Sequence, residues 1–209
     1  MGSEMCIRDR ISASEMFTSG AVLTGGRSRR MGTDKALLSL ESGSMIDHML
    51  ETLEGAVDDV RLVGGDIGHV RVETVADRYP DEGPLGGVVS ALDATDAELT
   101  AVVGCDLPRL TSAVVLGLID ATRETGADYA IPLIGGRRQW HCAVWTNRCT
   151  SRLSRSFDDG IRSFRPAVAG LRECAVLLSD PRIFDDIDTP EDYERYLSSE
   201  GNSLVGEHG

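Results

Sequence analysis

The sequence predicts a three-layer α/β/α protein built around a mostly parallel β-sheet. Short apolar, β-prone runs alternate along the chain with segments whose apolar residues recur at helical spacing, the pattern of βαβ units. The 209 residues suit one ordinary domain with a real core. Hydrophobic residues make up 41% and charged residues 26%, the balance of a globular chain rather than a disordered or fibrous one.

The elements follow in order. Phe17 to Leu23 is a short buried strand that runs into the turn signal Thr24-Gly25-Gly26. Asp34 to Leu40 and Ser44 to Leu53 read as helical, the second with Met45, Ile46, Met49, Leu50 and Leu53 on one face. Val60 to Val63 and Val70 to Val75 read as strands. Gly83-Pro84 opens a helix extending to Ala91, because proline suits a first helical turn. Leu99 to Val103 is the most strand-like run, and Ser112 to Arg123 is an amphipathic helix. Tyr129 to Pro132 and Ala143 to Thr146 are weaker strands. A helix near Ile161 to Leu171, a strand at Cys174 to Leu178 and a helix over Pro190 to Leu197 complete the pattern. We expect residues 16–197 to form the domain, residues 1–15 to be a non-native or disordered leader, and residues 198–209 to be a disordered tail. Arg8, Asp9 and Arg10 stand where an export signal would need its apolar stretch.

Composition excludes several functions. No segment reaches the roughly 18 consecutive apolar residues of a membrane span. A formal net charge of −13 repels polyanions and argues against broad nucleic-acid binding, so any phosphate site must be local. The five cysteines are odd in number and contain no C-x-x-C pair, which fits reduced thiols in a cytoplasmic protein rather than a disulfide framework or zinc knuckle.

In a parallel sheet, ligands bind beyond the carboxyl ends of the strands, so the loops after Leu23, Val63, Val75 and Val103 are where chemistry is sought. The first loop, Leu23 to Lys35, carries Gly25, Gly26 and Gly32 with Arg27, Arg29, Arg30 and Lys35. Glycines let backbone N–H groups approach an anion, and the cations supply the positive charge scarce elsewhere. Two readings stand, a phosphate cradle or a solvated turn with a basic face. The spacing matches neither the Walker loop nor G-x-G-x-x-G. Asp106 closes the best strand just before Pro108; it is a metal-binding carboxylate or a turn-initiating one. In Asp186-Ile187-Asp188 the outer side chains share one face if the segment is extended, and Thr189-Pro190-Glu191-Asp192 reads as a helix cap followed by an acidic first turn.

Gly25-Gly26-x-Ser28-x-Arg30-Met31-Gly32-x-Asp34-Lys35 resembles the signature loop of the MobA-like NTP transferases, and within them of the molybdenum cofactor guanylyltransferases. The resemblance continues through Asp77, Gly83-Pro84-Leu85-Gly86-Gly87, Gly104-Cys105-Asp106-Leu107-Pro108 and Asp186 to Asp192, and it spans about Met16 to Leu197. It implies a Rossmann-like nucleotidyltransferase fold and transfer of GMP from GTP to the phosphate of Mo-molybdopterin, with release of pyrophosphate. It also implies Arg30, Lys35 and Asp106 in catalysis, and Leu23, Thr24, Gly25, Gly26, Lys35, Asp77, Gly83, Pro84, Leu85 and Asp106 at the nucleotide. Asp106 and Asp188 would hold Mg²⁺, although relatives often carry Asn at the position of Asp188. GTP and molybdopterin are the implied small-molecule partners, with transient contact to molybdoenzymes or cofactor chaperones. CTP, phospholactate or sugar-phosphate transfer, and a non-catalytic cofactor-binding role, are the alternatives.

Two places depart from the family pattern. Val63-Gly64-Gly65-Asp66 stands where some relatives place an Asn that touches the nucleotide, so a contact there would come from the backbone, and Trp140-His141 replaces a Pro-Leu pair after Gln139 on the pterin side. His141 reads as a packing or hydrogen-bonding residue rather than a base. Arg137, Arg138 and Arg162 are candidates for the acceptor phosphate or plain surface cations.

Overall fold

The computed structural model describes residues 16–25, 35–40, 43–65, 68 and 71–203. Its main sheet has the order β10-β7-β9-β6-β1-β4-β5. The strands on this path are β1 (Thr18–Leu23), β4 (Asp59–Val63), β5 (Glu73–Val75), β6 (Leu99–Gly104), β7 (Tyr129–Ile134), β9 (Cys142–Thr146) and β10 (Glu173–Leu177). Pairing is parallel across β6, β1, β4 and β5 and between β10 and β7. β9 runs antiparallel to both its neighbours on this path. It does so because β7 turns back through Gly135 and Gly136, both at positive φ, into the two-residue strand β8 (Arg137–Arg138). The chain thus re-enters the sheet from its carboxyl edge, bringing residues 139–141 to that edge.

Alternation along the strands divides the core into two layers. Val22, Leu62, Ala101 and Val103 face a cluster completed by α1 (Met45–Glu54) and α3 (Ser112–Thr125). Ala21, Val63 and Val102 face the opposite cluster, completed by α2 (Pro84–Asp93), α4 (Thr150–Asp158) and α5 (Phe164–Ala167). This is the predicted three-layer arrangement. Among the described residues, no helix is long and apolar enough to cross a membrane.

Several predicted elements change. The helix expected over Asp34 to Leu40 is a 3₁₀ turn at Lys35–Leu37 followed by a small hairpin, β2 (Ser39–Leu40) with β3 (Gly43–Ser44); Asp34 itself lies outside the described residues. Ser44 then starts α1 through a capping box with Asp47, so the helical register begins afresh there. The strand over Val70 to Val75 shrinks to β5, with Val70 outside the described residues. α4 was not anticipated: its sequence is mostly polar, and it buries only Leu153, Ser156 and Phe157. The helix near Ile161 to Leu171 reduces to the single turn α5, and Gly170 at φ +85° turns the chain toward β10. The last helix, α6 (Pro190–Ser203), outruns its predicted end at Leu197 by six residues.

Candidate active site

The carboxyl edges of β1, β4, β5 and β6 open into a cavity of about 580 Å³. Its position follows from the parallel strands, which stop together and leave their following loops to form a crevice. Thr24 donates its backbone N–H to the Val63 carbonyl at 2.9 Å, and Gly64 donates to Val75 at 3.0 Å, so the three loops are laced across the sheet edge. Gly64 is held at φ +138°, and a Cβ there would lie 2.6 Å from the Gly25 nitrogen. Both conformation and space require glycine. Gly64→Ala is therefore expected to cost about 1–3 kcal/mol of stability, measured by denaturant unfolding; an unchanged midpoint would refute the close approach.

Sequence-predicted residues converge on this cavity. Leu23, Thr24, Gly25, Lys35, Asp77, Gly83, Pro84, Asp106 and Asp188 all line it. Leu85 does not: its side chain is fully buried in the core beneath α2. Gly26 and Arg30, with Arg27 and Arg29, lie outside the described residues. Asp77 is not paired with Arg78, which instead bonds Asp93. One Asp77 oxygen accepts from Tyr79 N–H at 2.9 Å and Ser90 O–H at 2.8 Å. That anchoring leaves the other oxygen near Gly25, on the cavity side. α2 begins at the rim with Gly83 as its cap, at φ +94°, and Pro84 as its first residue.

At the β6 edge three carboxylates gather. Asp106, Asp186 and Asp188 each offer an oxygen within 4.8 Å of the others. The backbone makes this cluster: Ile187 donates its N–H to the Asp106 carbonyl at 3.0 Å and buries its side chain with Leu40, Met45 and Tyr196. The flanking aspartates therefore share one side, as expected of an extended segment. Thr189 and Asp192 cap α6 reciprocally, at 2.9 Å to the Thr189 N–H and 3.2 Å from the Asp192 N–H. This cap accounts for Thr189 and Asp192 and leaves Asp188 with Lys35, whose ammonium it meets in a salt bridge.

Asp106 has a side chain only 15% exposed, and its Oδ1 is buried without a hydrogen-bond partner among the described residues. His141 Nδ1 stands 3.8 Å from that atom, close enough for ionic attraction but beyond a hydrogen bond. Burial works against the Asp106 charge, yet His141 and Lys35 outweigh it and hold the carboxyl below its ordinary range. Contact with Asp106 in turn raises His141 above the usual imidazole value. Asp186 moves upward through burial and through the charges of Asp188 and Asp106. Three hard oxygen donors with an unpartnered buried oxygen suit a small divalent cation.

The residues that sequence reasoning underweighted are His141, Trp140 and Asp186. The first two line the cavity, and the third belongs to the carboxylate cluster. Their departure from the family pattern was the available signal for Trp140 and His141. The proposed phosphate cations are placed otherwise. Arg138 is bound to Glu173, Arg162 is bound to Glu82, and Arg137 does not line the cavity.

A parallel sheet whose carboxyl edge combines a glycine-lined cavity, a lysine and clustered carboxylates is built for moving nucleotidyl groups. Residues 20–172 match the MobA-like NTP transferase domain. The chain belongs to that family and is a nucleotidyltransferase. It is 29% identical over 200 residues to a "Probable molybdenum cofactor guanylyltransferase" of Bacillus thuringiensis, covering 87% of this chain and 98% of that protein. The fold resembles that of molybdopterin-guanine dinucleotide biosynthesis protein A from Archaeoglobus fulgidus, with TM-score 0.73, 22% identity, and coverage of 87% of this chain and 99% of that one. It also resembles a Mycobacterium tuberculosis protein solved in complex with manganese, with TM-score 0.64, 20% identity, and coverage of 88% and 100%.

Proposed function

We propose that this enzyme transfers GMP from GTP to the terminal phosphate of Mo-molybdopterin and releases pyrophosphate. The observation that carries the reading is the shared cavity in which Thr24, Gly25, Asp77, Gly83 and Lys35 lie beside the cluster of Asp106, Asp186 and Asp188. The name of the Bacillus relative supports the choice of substrates. The motif pair Thr24-Gly25 and Gly83-Pro84-Leu85 favours guanine over cytosine; for Leu85 only the main chain is offered to a base, since its side chain is in the core.

In this reaction an oxygen of the acceptor phosphate forms a bond to the α-phosphorus. The bond from that phosphorus to the β-phosphate oxygen breaks, and pyrophosphate leaves with the electron pair. The acceptor is already an anion at neutral pH, so no strong base is needed; the work is to hold two anions together and offset the growing charge. Lys35 lies on the cavity wall and is 16% exposed, so its ammonium acts with little solvent screening. His141, 3.8 Å from Asp106, stands on the opposite flank with a ring nitrogen placed to hydrogen-bond a phosphate oxygen. The oxygen-only donor set and the orphaned Asp106 Oδ1 fit Mg²⁺, which Asp106 and Asp188 would hold with Asp186 beside them. Held by these residues, Mg²⁺ would supply Lewis-acid stabilisation of the phosphate charge.

The test is pyrophosphate release by the purified full chain with Mg²⁺, a molybdopterin acceptor and GTP, CTP or ATP in parallel. Release with GTP alone is expected; release with CTP would overturn the base assignment, and silence with all three would overturn the reaction. Lys35→Ala is expected to lower kcat/KM for GTP by roughly tenfold to a hundredfold, the worth of one strong charge-assisted contact. Unchanged kinetics would remove Lys35 from the triphosphate.

A further inference from the structure

Transfer to molybdopterin needs a second substrate to approach the carboxylates from the flank opposite the nucleotide, and the subsite inferred for that substrate rests on the proposed reaction. Sheet order decides which flank this is. In the order β9-β6-β1-β4-β5, Asp106 follows β6; Thr24 and Asp77 follow β1 and β5 on one side, and Trp140 and His141 precede β9 on the other. Trp140 lines the main cavity and also a second one of about 250 Å³, whose other walls are Arg138, Arg165, Val168 and Glu173. The two cavities thus adjoin through one indole.

That indole is a fixed wall. Its ring lies parallel to Phe164, with centroids 4.7 Å apart and planes 1° from parallel, and it stacks more loosely on Tyr129 at 6.2 Å. Glu173 is equally constrained. Its Oε2 accepts from Tyr129 O–H at 2.6 Å and from Arg138 Nε at 2.7 Å, and its Oε1 accepts from Arg138 Nη2 at 2.7 Å. A carboxylate offers about four acceptor positions, so Oε1 retains one. Arg165 makes no hydrogen bond or ion pair with the described residues, so its guanidinium is uncommitted. A bare phosphate would satisfy Arg165 but would meet the Glu173 charge and an apolar ring. A planar heterocycle with an N–H donor beside a carbonyl oxygen satisfies all three walls at once.

We propose that Trp140, Arg165 and Glu173 form the subsite for the ring system of the acceptor, a flat fused nitrogen heterocycle with an amide-type edge, while the acceptor's phosphate reaches past Trp140 to the carboxylates. The ring stacks on the indole, its N–H donates to Glu173 Oε1, and its carbonyl accepts from Arg165.

The chain has two tryptophans, and Trp145 is fully buried, so a ligand entering either cavity is read mainly through Trp140. Titration of the full chain with 6-hydroxymethylpterin, a ring without the phosphate, is expected to quench tryptophan emission saturably, with or without GTP present. Arg165→Ala, a change at an exposed side chain, is expected to weaken that binding about tenfold. In turnover with molybdopterin, Trp140→Ala is expected to raise the acceptor KM about tenfold with the GTP KM unchanged, and Trp140→Phe to restore it, because stacking on an aromatic residue carries that much of ring binding. No saturable quenching, binding unaffected by Arg165→Ala, or acceptor and GTP KM values rising together in Trp140→Ala would each overturn the subsite. Should the wild type transfer nothing to molybdopterin, the guanylyl-transfer reaction fails, and the pterin titration still decides the subsite by itself.

Discussion

Asp106→Ala is expected to reduce nucleotidyl transfer by at least about 10³-fold while leaving the chain folded, with the thermal midpoint unchanged or slightly lowered. The loss of activity follows from position. Asp106 stands at the end of β6 with oxygens of Asp186 and Asp188 within 4.8 Å, where the cavity concentrates its hard donors. On the proposed reading, removing the most buried of these takes away a carboxylate that would hold the metal, whose charge stabilisation at the phosphates would be worth several kcal/mol. The retained stability follows from solvation. Oδ1 is buried without a hydrogen-bond partner among the described residues, but His141 and Lys35 outweigh that desolvation, so the two opposing effects leave only a small net stabilisation. Losing the group therefore lowers stability slightly near neutral pH. Parallel pyrophosphate-release and thermal-unfolding measurements check both effects. A folded variant with more than about a tenth of normal activity would take Asp106 out of the metal site, and an unfolded one would make it structural.

Gly104→Ala should act on the same centre while leaving all three carboxylates in the sequence. Gly104 is the last residue of β6 and donates its N–H to the His141 carbonyl at 2.7 Å. A Cβ built there falls 2.7 Å from Asp106 Oδ1, closer than side-chain atoms approach, and 3.6 Å from His141 Nδ1. The obstructed atom is the end of a side chain that can rotate, so the protein yields by swinging the carboxylate away rather than by unfolding. A displacement of about 1 Å at a positioned catalytic group costs on the order of a hundredfold in rate, and kcat should fall by about that factor with the GTP KM little changed. Retention of half the wild-type kcat would show that Asp106 need not sit where the fold places it.

The legible part of the molecule was whatever its local chemistry determines. β1, β4 and β6 declare themselves through short apolar runs, Ala21 to Leu23, Leu62-Val63 and Ala101 to Val103, each followed within two residues by a glycine, and α1 declares itself through Ser44 and its spaced apolar face. Pro84 marks the start of α2, and Thr189-Pro190 marks the start of α6. Because a parallel sheet delivers its strand ends to one edge, recognising the strands was enough to bring Thr24, Asp77 and Asp106 together. α4 stayed hidden since only Leu153 and Phe157 of its nine residues are apolar; they fall at helical spacing, but the pair is too short to read as a stripe, and the helix is held by packing them under α2. Leu85 misled for a related reason: a motif position identifies a segment, and burial decides which of its atoms face the ligand.

By itself, then, the sequence determined the layer architecture, the edge at which chemistry occurs, and the lysine and aspartates that line it. Tertiary structure alone decided what stands next to them. His141 comes beside Asp106 because β9 runs antiparallel to β6, a pairing set by the Gly135-Gly136 turn and by competition among strand partners. Asp186 and Asp188 join the same centre through one hydrogen bond from Ile187 to the Asp106 carbonyl, eighty-one residues earlier. Contacts at such separations leave no period or spacing in the chain. They arise when packing closes long loops, and their physical consequence, three carboxylates gathered with a lysine and a histidine around the largely buried Asp106, exists only once the sheet has formed.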